Sequence, residues 1–96
     1  MRVRHESDSH RFIGDTPSGT AVLAYAPAGA GALELYSTYV PAAERGQGVG
    51  GHLVQAAVTY AREHGLQIIP TCWYVAEWIA AHPEHRDLLT PTFRAP

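Results

Sequence analysis

The run Arg45-Gly46-Gln47-Gly48-Val49-Gly50-Gly51 carries the most specific chemical signal in this chain. Glycines lack a Cβ and let a backbone approach a ligand closely. Where such a run opens a helix, the first N–H groups have no intrahelical partners and the helix dipole adds positive potential. Together these features suit an anion, above all a phosphate. Arg45 at the lip adds a fixed positive charge and paired donors. The competing reading is a loop whose glycines serve tight packing alone.

The flanks narrow the choice of phosphate ligand. Gly46, Gly48 and Gly51 satisfy the dinucleotide pattern G-x-G-x-x-G, yet Pro41-Ala42-Ala43-Glu44 separates them from the preceding strand. An acid should hold a ribose at the end of the next strand, and Thr71 and Cys72 stand there instead. A Walker A loop fails because no Gly-Lys-Ser/Thr follows. Cys72 itself should open a helix, where a thiol can have a lowered pKa. It is either a reactive thiol or a small buried hydrophobe. Among the six histidines, His52 falls in the first turn of the glycine-led helix and His64 in its last, a structural position. His82 and His85 flank Pro83-Glu84 and, with His5 and His10, lack the spacing of a paired ligand set, so no metal is expected.

The elements that must position these residues follow from periodicity. Residues 2–6, 11–15, 20–26 and 32–40 read as strands separated by the turn clusters 15–19 and 27–31. Short turns between successive strands favour an antiparallel meander. From Gly48 the period changes: Val49, Leu53, Ala56, Ala57, Tyr60 and His64 recur at helical spacing, and Gly65 occupies a helix C′ position. Residues 66–70 form a short buried strand, and a strand–helix–strand succession implies a parallel pair. A second helix puts Val75, Trp78, Ile79 and His82 on one face and ends at Pro83. Trp73, Tyr74 and Trp78 are expected mostly in the core, with part of the cluster left to line a ligand channel. The tail, residues 89–96, reads as irregular. The fold class is therefore α/β (α+β), one domain over residues 1–96.

Composition sets outer limits. Ninety-six residues with a net charge of −2 carry no basic nucleic-acid footprint. No apolar run reaches the roughly 18 residues of a membrane span. The first residues precede no secretory apolar region. A single cysteine cannot build a disulfide framework and fits a reducing, cytoplasmic setting. The expected state is a monomer or weak dimer.

At this point the residues resemble a family. Arg45-x-x-Gly48-x-Gly50, following a strand that ends in Val40-Pro41, matches the R/Q-x-x-G-x-G/A motif of the GNAT acetyltransferase superfamily. Pro70-Thr71-Cys72-Trp73-Tyr74-Val75, then Trp78-Ile79 and His82-Pro83-Glu84, resembles its minimal branch, the bacterial YidJ-type proteins and their plant and animal relatives. The likeness covers residues 35–89. It implies a minimal GNAT-like fold in which strand 32–40 splays from strand 67–70, with the pantetheine arm of acetyl-CoA (coenzyme A) in the gap. The arm would pair with main chain near Tyr39 and Val40, and the pyrophosphate would rest on the amides of Gly46, Gln47, Gly48, Val49, Gly50 and Gly51 beside Arg45. It further implies N-acetyl transfer from acetyl-CoA directly to an amine, at an acceptor site open enough for a protein side chain or peptide.

The family places a cysteine near the thioester, which here is Cys72: an acyl carrier, a redox-sensitive thiol, a channel wall or a packing residue. Relatives read His-Thr-Glu-Val-Pro where this chain has Ser37-Thr38-Tyr39-Val40-Pro41, so a carboxylate base is missing from that position. Tyr39 is then a candidate general acid toward the leaving thiolate, or simply a core or surface aromatic. Three functions follow: an N-acetyltransferase, a noncatalytic acyl-CoA binding module, or an interaction protein with a structural glycine loop.

Overall fold

The computed structural model describes residues 1–94. Four antiparallel strands, β1 (Val3–Glu6), β2 (Arg11–Thr16), β3 (Gly19–Ala28) and β4 (Ala32–Tyr39), run as a meander. Helix α1 (Val49–Glu63) then crosses to β5 (Gln67–Ile69), which joins β4 in parallel. The sheet order is β1-β2-β3-β4-β5. Helix α2 (Trp73–Ala81), a 3-10 segment (Pro83–Leu88) and the short α3 (Pro91–Arg94) complete the described chain. This is the α/β arrangement anticipated above, with strand β3 longer at both ends than residues 20–26.

Local chemistry explains the turns. The β2–β3 hairpin closes on Gly19 at φ +136°, with the Thr16 hydroxyl donating to the Gly19 carbonyl at 2.6 Å. Helix α1 ends in a Schellman motif: Gly65 takes φ +64°, and the Leu66 amide donates to the Ala61 carbonyl at 2.8 Å. On β3 the side chains of Ala21, Leu23 and Tyr25 are buried while Val22, Ala24 and Ala26 are half-buried, the alternation of a strand covered on one side. Phe12, Leu33 and Leu35 join them, and the helices contribute Leu53, Val54, Val58, Val75 and Ile79 to the same cluster.

Three expectations change. The buried face of α1 is Val49, Gly50, Leu53, Val54, Ala57, Val58 and Ala61, wider than a single stripe because the sheet, α2 and the 3-10 segment all pack on it. His64 stays exposed and stacks on Tyr60 at 4.1 Å. Trp73 is 71% exposed, because Cys72 and Val75 take the inward directions of that turn. The tail begins ordered: Leu88 and Leu89 are buried, and Leu89 bridges Ile68 alongside β5. A two-pronged ion pair, Arg62 to Asp87 at 2.9 and 3.0 Å, ties the preceding 3-10 segment to α1. Residues 95–96 of the expected irregular tail lie outside the described residues.

Away from the glycine loop, His5 of β1 stacks on Phe12 at 4.2 Å, meets Tyr60 edge-on and shares a 2.6 Å hydrogen bond with the Tyr25 hydroxyl. Desolvation, reinforced by the neighbouring His64 and His10, holds His5 below its ordinary value of 6.5. A folded-state value below the unfolded one means that the unfolded chain takes up the proton first. The stability contributed by neutral His5 is thus complete above pH 6.5 and is lost as the pH falls below it. We expect the His5 ring to titrate by NMR with a midpoint below 6.5, accompanied by declining resistance to urea over the same range; a midpoint at or above 6.5 would contradict this account.

Candidate acyl-transfer cleft

Strands β4 and β5 share only three paired positions, Ala32 with Gln67, Leu33 with Ile68 and Glu34 with Ile69. One more main-chain link follows, the Cys72 amide donating to the Leu35 carbonyl at 3.0 Å. Beyond it the chains part. At the same place β4 carries a bulge: Leu35 pairs with Tyr25 but Ser37 with Ala24, leaving Tyr36 as the extra residue. The fork opens into a cleft of about 590 Å³, walled by Thr38, Tyr39 and Val40 on one side and by Cys72, Trp73 and Tyr74 on the other.

The glycine loop closes the outer end. After Pro41 a 3-10 turn (Ala42–Glu44) leads to Gly46 at φ +82° and Gly48 at φ +83°, and Gly48 is the N-cap of α1. No side chain caps this helix start, so its first amides are open to a ligand. A Cβ built at Gly46 or Gly48 meets nothing within 4 Å, so the left-handed backbone is what demands glycine there. Gly50 and Gly51 differ. A Cβ on Gly50 falls 2.8 Å from the Tyr74 hydroxyl, and one on Gly51 falls 3.1 Å from Trp78 Nε1. These two glycines let α2 lie close against α1. The packing reading of the motif thus holds for Gly50 and Gly51, whereas backbone conformation accounts for Gly46 and Gly48.

Most of the anticipated site residues gather here: Tyr39, Val40, Arg45, Gly46, Gly48, Val49, Gly50 and Cys72 all line the cleft. Gln47 and Gly51 do not. Gln47 binds back to the Ala43 carbonyl at 3.3 Å and faces a neighbouring hollow with Arg2 and His52. Gly51 is turned toward Trp78. Arg45 is exposed at the lip, and its Nε donates to the Val40 carbonyl at 2.9 Å, tethering the guanidinium to the end of β4. Tyr39 is registered with Val22, whereas Thr38 is registered with the buried Leu23. Adjacent strand residues point to opposite faces. Thr38, not Tyr39, therefore reaches the thiol, with Oγ1 3.5 Å from Cys72 Sγ.

Sequence reasoning missed Thr38 and Glu44 as cleft residues; of the Trp73, Tyr74 and Trp78 cluster, expected mostly in the core with part along the channel, Trp73 and Tyr74 line the cleft. Helical spacing puts Tyr74 on the Trp78 side of α2, a usable clue. Thr38 has no such signal, because its partner lies 34 residues away.

Cys72 is 8% exposed and precedes the first turn of α2. Burial pushes its thiol up, but the Thr38 hydroxyl and the nearby main-chain N–H groups of Val75, Tyr74 and Thr38 favour the thiolate, outweigh burial and leave it below the ordinary 9.0. The side chain makes no capping hydrogen bond to the helix. Thr38→Val should therefore shift the thiolate absorbance titration of Cys72 upward, and an unshifted titration would remove Thr38 from this role. Alanine at position 48 must hold φ near +83°, so Gly48→Ala is expected to cost about 1–2 kcal/mol in thermal or urea unfolding. Gly50→Ala should instead displace the Tyr74 ring, visible as altered aromatic NMR shifts.

Comparison with known proteins agrees with this geometry. Residues 11–88 match the family described as GCN5-related N-acetyl-transferase. Protein NATD1 of Mus musculus is 38% identical over 85 residues, spanning 86% of this chain and 77% of that protein. Protein NATD1 of Danio rerio is 32% identical over 90 residues, spanning 92% and 82%. The NMR solution structure of a GCN5-like protein from Staphylococcus aureus superposes with a TM-score of 0.74 at 25% identity, covering 93% of this chain and 87% of that one. The chain belongs to the GCN5-related N-acetyltransferase family, in keeping with its forked sheet and glycine-led helix.

Proposed function

We propose that the cleft binds acetyl-CoA and that the protein transfers its acetyl group directly to an amine. The observation that carries this reading is the fork itself. An opening of about 590 Å³ runs from the Thr38–Cys72 pair to an uncapped helix N-terminus beside Arg45. A thioester on a pantetheine arm with a pyrophosphate at its other end has that same succession of chemistry. The unpaired side of β4 beyond Leu35 offers main-chain groups to the arm. The amides at the start of α1 and the tethered guanidinium of Arg45 suit the phosphates.

Acetyl-CoA supplies an activated acetyl group. The acceptor ammonium first gives a proton to water, and the free amine adds to the thioester carbonyl; a C–N bond forms, the C–S bond breaks, and the proton shed by the nitrogen balances the one taken up by the departing thiolate. At the inner end Thr38 and Cys72 provide the polar hydrogens nearest the leaving sulfur, while Cys72 also walls the slot. Tyr39, at the lip and 53% exposed, serves the acceptor side rather than the thiol.

One observation keeps a noncatalytic acyl-CoA module in view: the acid lining the cleft, Glu44, stands beside the glycine loop rather than at the inner end. Calorimetry with acetyl-CoA should show binding, weakened at least about tenfold by Arg45→Glu through loss of a charged hydrogen bond. Absence of heat and of a thermal shift with acetyl-CoA would end the cofactor reading. Thiol release with amine acceptors should then be detectable, and binding without release would favour the noncatalytic module. Under direct transfer, Cys72→Ala slows turnover without abolishing it and intact-mass analysis finds no acylated protein; an acetyl adduct lost in Cys72→Ala would instead make Cys72 an acyl carrier.

A further inference from the structure

Strand β1 lies at the edge of the sheet and pairs with β2 alone, over four positions. Its side chains alternate between the two faces. Arg4, opposite Ile13, and Glu6, opposite Arg11, lie away from the helices. They hold exposed ion pairs, Arg4 with Asp15 at 3.2 Å and Glu6 with Arg11 at 2.7 Å. Such pairs hold weakly. On the helix side Val3 packs against the core, and His5 joins three elements at once. Its ring stacks on Phe12 of β2, meets Tyr60 of α1 edge-on at 4.5 Å, and places Nε2 2.6 Å from the Tyr25 hydroxyl of β3. Two further histidines extend the row. His10, at φ +55° in the β1–β2 turn, lies 5.3 Å from the Tyr25 ring, and His64 stacks on Tyr60 at 4.1 Å.

A proton on His5 works against this packing. In the neutral ring Nε2 can accept the hydrogen of the Tyr25 hydroxyl. Once protonated it only donates, and the hydroxyl of the buried Tyr25 loses its acceptor. The charges that act on His5 are those of His64 and His10, of the same sign as an imidazolium. Tyr25, raised above its ordinary 10.0 by burial, stays a phenol and offers no counter-charge. Glu6 points to the other face and is bound by Arg11, while Asp8 in the turn and Glu63 on α1 are exposed to solvent. Stacking on Phe12 gains cation–π attraction, but burial and the two histidines outweigh it and hold His5 below its ordinary 6.5. The turn is anchored separately, because the Tyr25 amide donates to the His10 carbonyl at 3.0 Å. What His5 alone secures is therefore the strand before it. That strand also borders the glycine loop: Arg2 and Arg4 line, with Glu44, Gln47, Val49 and His52, a hollow of about 510 Å³.

We propose that β1 is a proton-released latch: a proton on His5 frees Val3–Glu6 from the sheet while β2–β5 and the helices stay folded, and so opens the hollow beside the glycine loop. A short edge strand with one neighbour is the part of a sheet that opens most readily. The four remaining strands keep their own pairings, because none of them pairs with β1 except β2. The device stands on the packing of His5 and is independent of whether the cleft transfers an acetyl group.

The test is amide hydrogen exchange of the full chain by NMR at about pH 7.5 and about pH 5, with rates corrected for the intrinsic pH dependence of exchange. Protection of residues 3–6 should fall about threefold or more at the lower pH, while that of β3, β4 and α1 falls less. Amide shifts at Gln47 and Val49 should follow the same midpoint as the His5 ring. His5→Gln keeps an acceptor for the Tyr25 hydroxyl and cannot take the proton, so residues 3–6 should then exchange alike at both pH values. Should that variant loosen β1 at every pH, His64→Gln removes one like charge from an exposed position and should shrink the drop at residues 3–6. A drop that persists in His5→Gln would trace the release to the carboxylates Glu6 and Asp15 and overturn the proposal. Equal loss of protection in every element, no loss at residues 3–6, an undiminished drop in His64→Gln, or loop shifts that do not follow His5 would overturn it as well.

Discussion

The short parallel pairing of β4 with β5 is the constraint on which the site depends. Backbone groups in a sheet need partners, and a strand pair would ordinarily keep zipping until the strands end. Here pairing stops after three positions and the Cys72–Leu35 link, because β5 ends at Ile69 and the chain turns through Pro70 into α2. Proline cannot donate to a ladder. The bulge at Tyr36 bends β4 at the same level. What remains of β4 keeps β3 on one side and an open row of main-chain groups on the other. A cleft made this way needs no large loops, which is how a chain of 96 residues can hold one.

Packing of α1 against α2 sets the width of that cleft. Gly50 and Gly51 remove the side chains that would hold the helices apart, and Tyr74 and Trp78 fill the space. Trp78 in turn stacks on His82 at 3.8 Å, and His82 Nδ1 lies 2.7 Å from the Trp78 carbonyl, so the end of α2 is secured by the same ring. Gly46 and Gly48 act separately, giving the loop the left-handed turns that aim the helix start into the cleft. Neighbouring glycines in one motif thus answer to two physical demands, interhelical distance and backbone conformation.

The two ends and two faces of the site divide its electrostatics. Arg45 and the helix dipole make the outer end positive, although Glu44 tempers it. The inner end is nearly neutral, a thiol and a hydroxyl in contact, with the thiol eased toward ionisation by its hydrogen bonds. Glu34 supplies negative charge on the far side of the sheet.

The sequence by itself determined the meander, the crossover to a parallel strand, the helix stop at Gly65 and the glycine-led start of α1, because each depends on local turn chemistry or on a short-range period. The likeness of Arg45-x-x-Gly48-x-Gly50 and the segment after Pro70 was enough to indicate the family. Only the tertiary structure decided which glycines serve packing, that Arg45 is tethered to the Val40 carbonyl, and that Trp73 lies outside the core. It also decided that Thr38 and not Tyr39 meets Cys72. A one-residue bulge inverts which side chains face the helices, and no local pattern marks where it occurs. The partners of Thr38 and Glu34 lie 34 and 37 residues away, so these contacts appear only once β4, β5 and α2 are brought together.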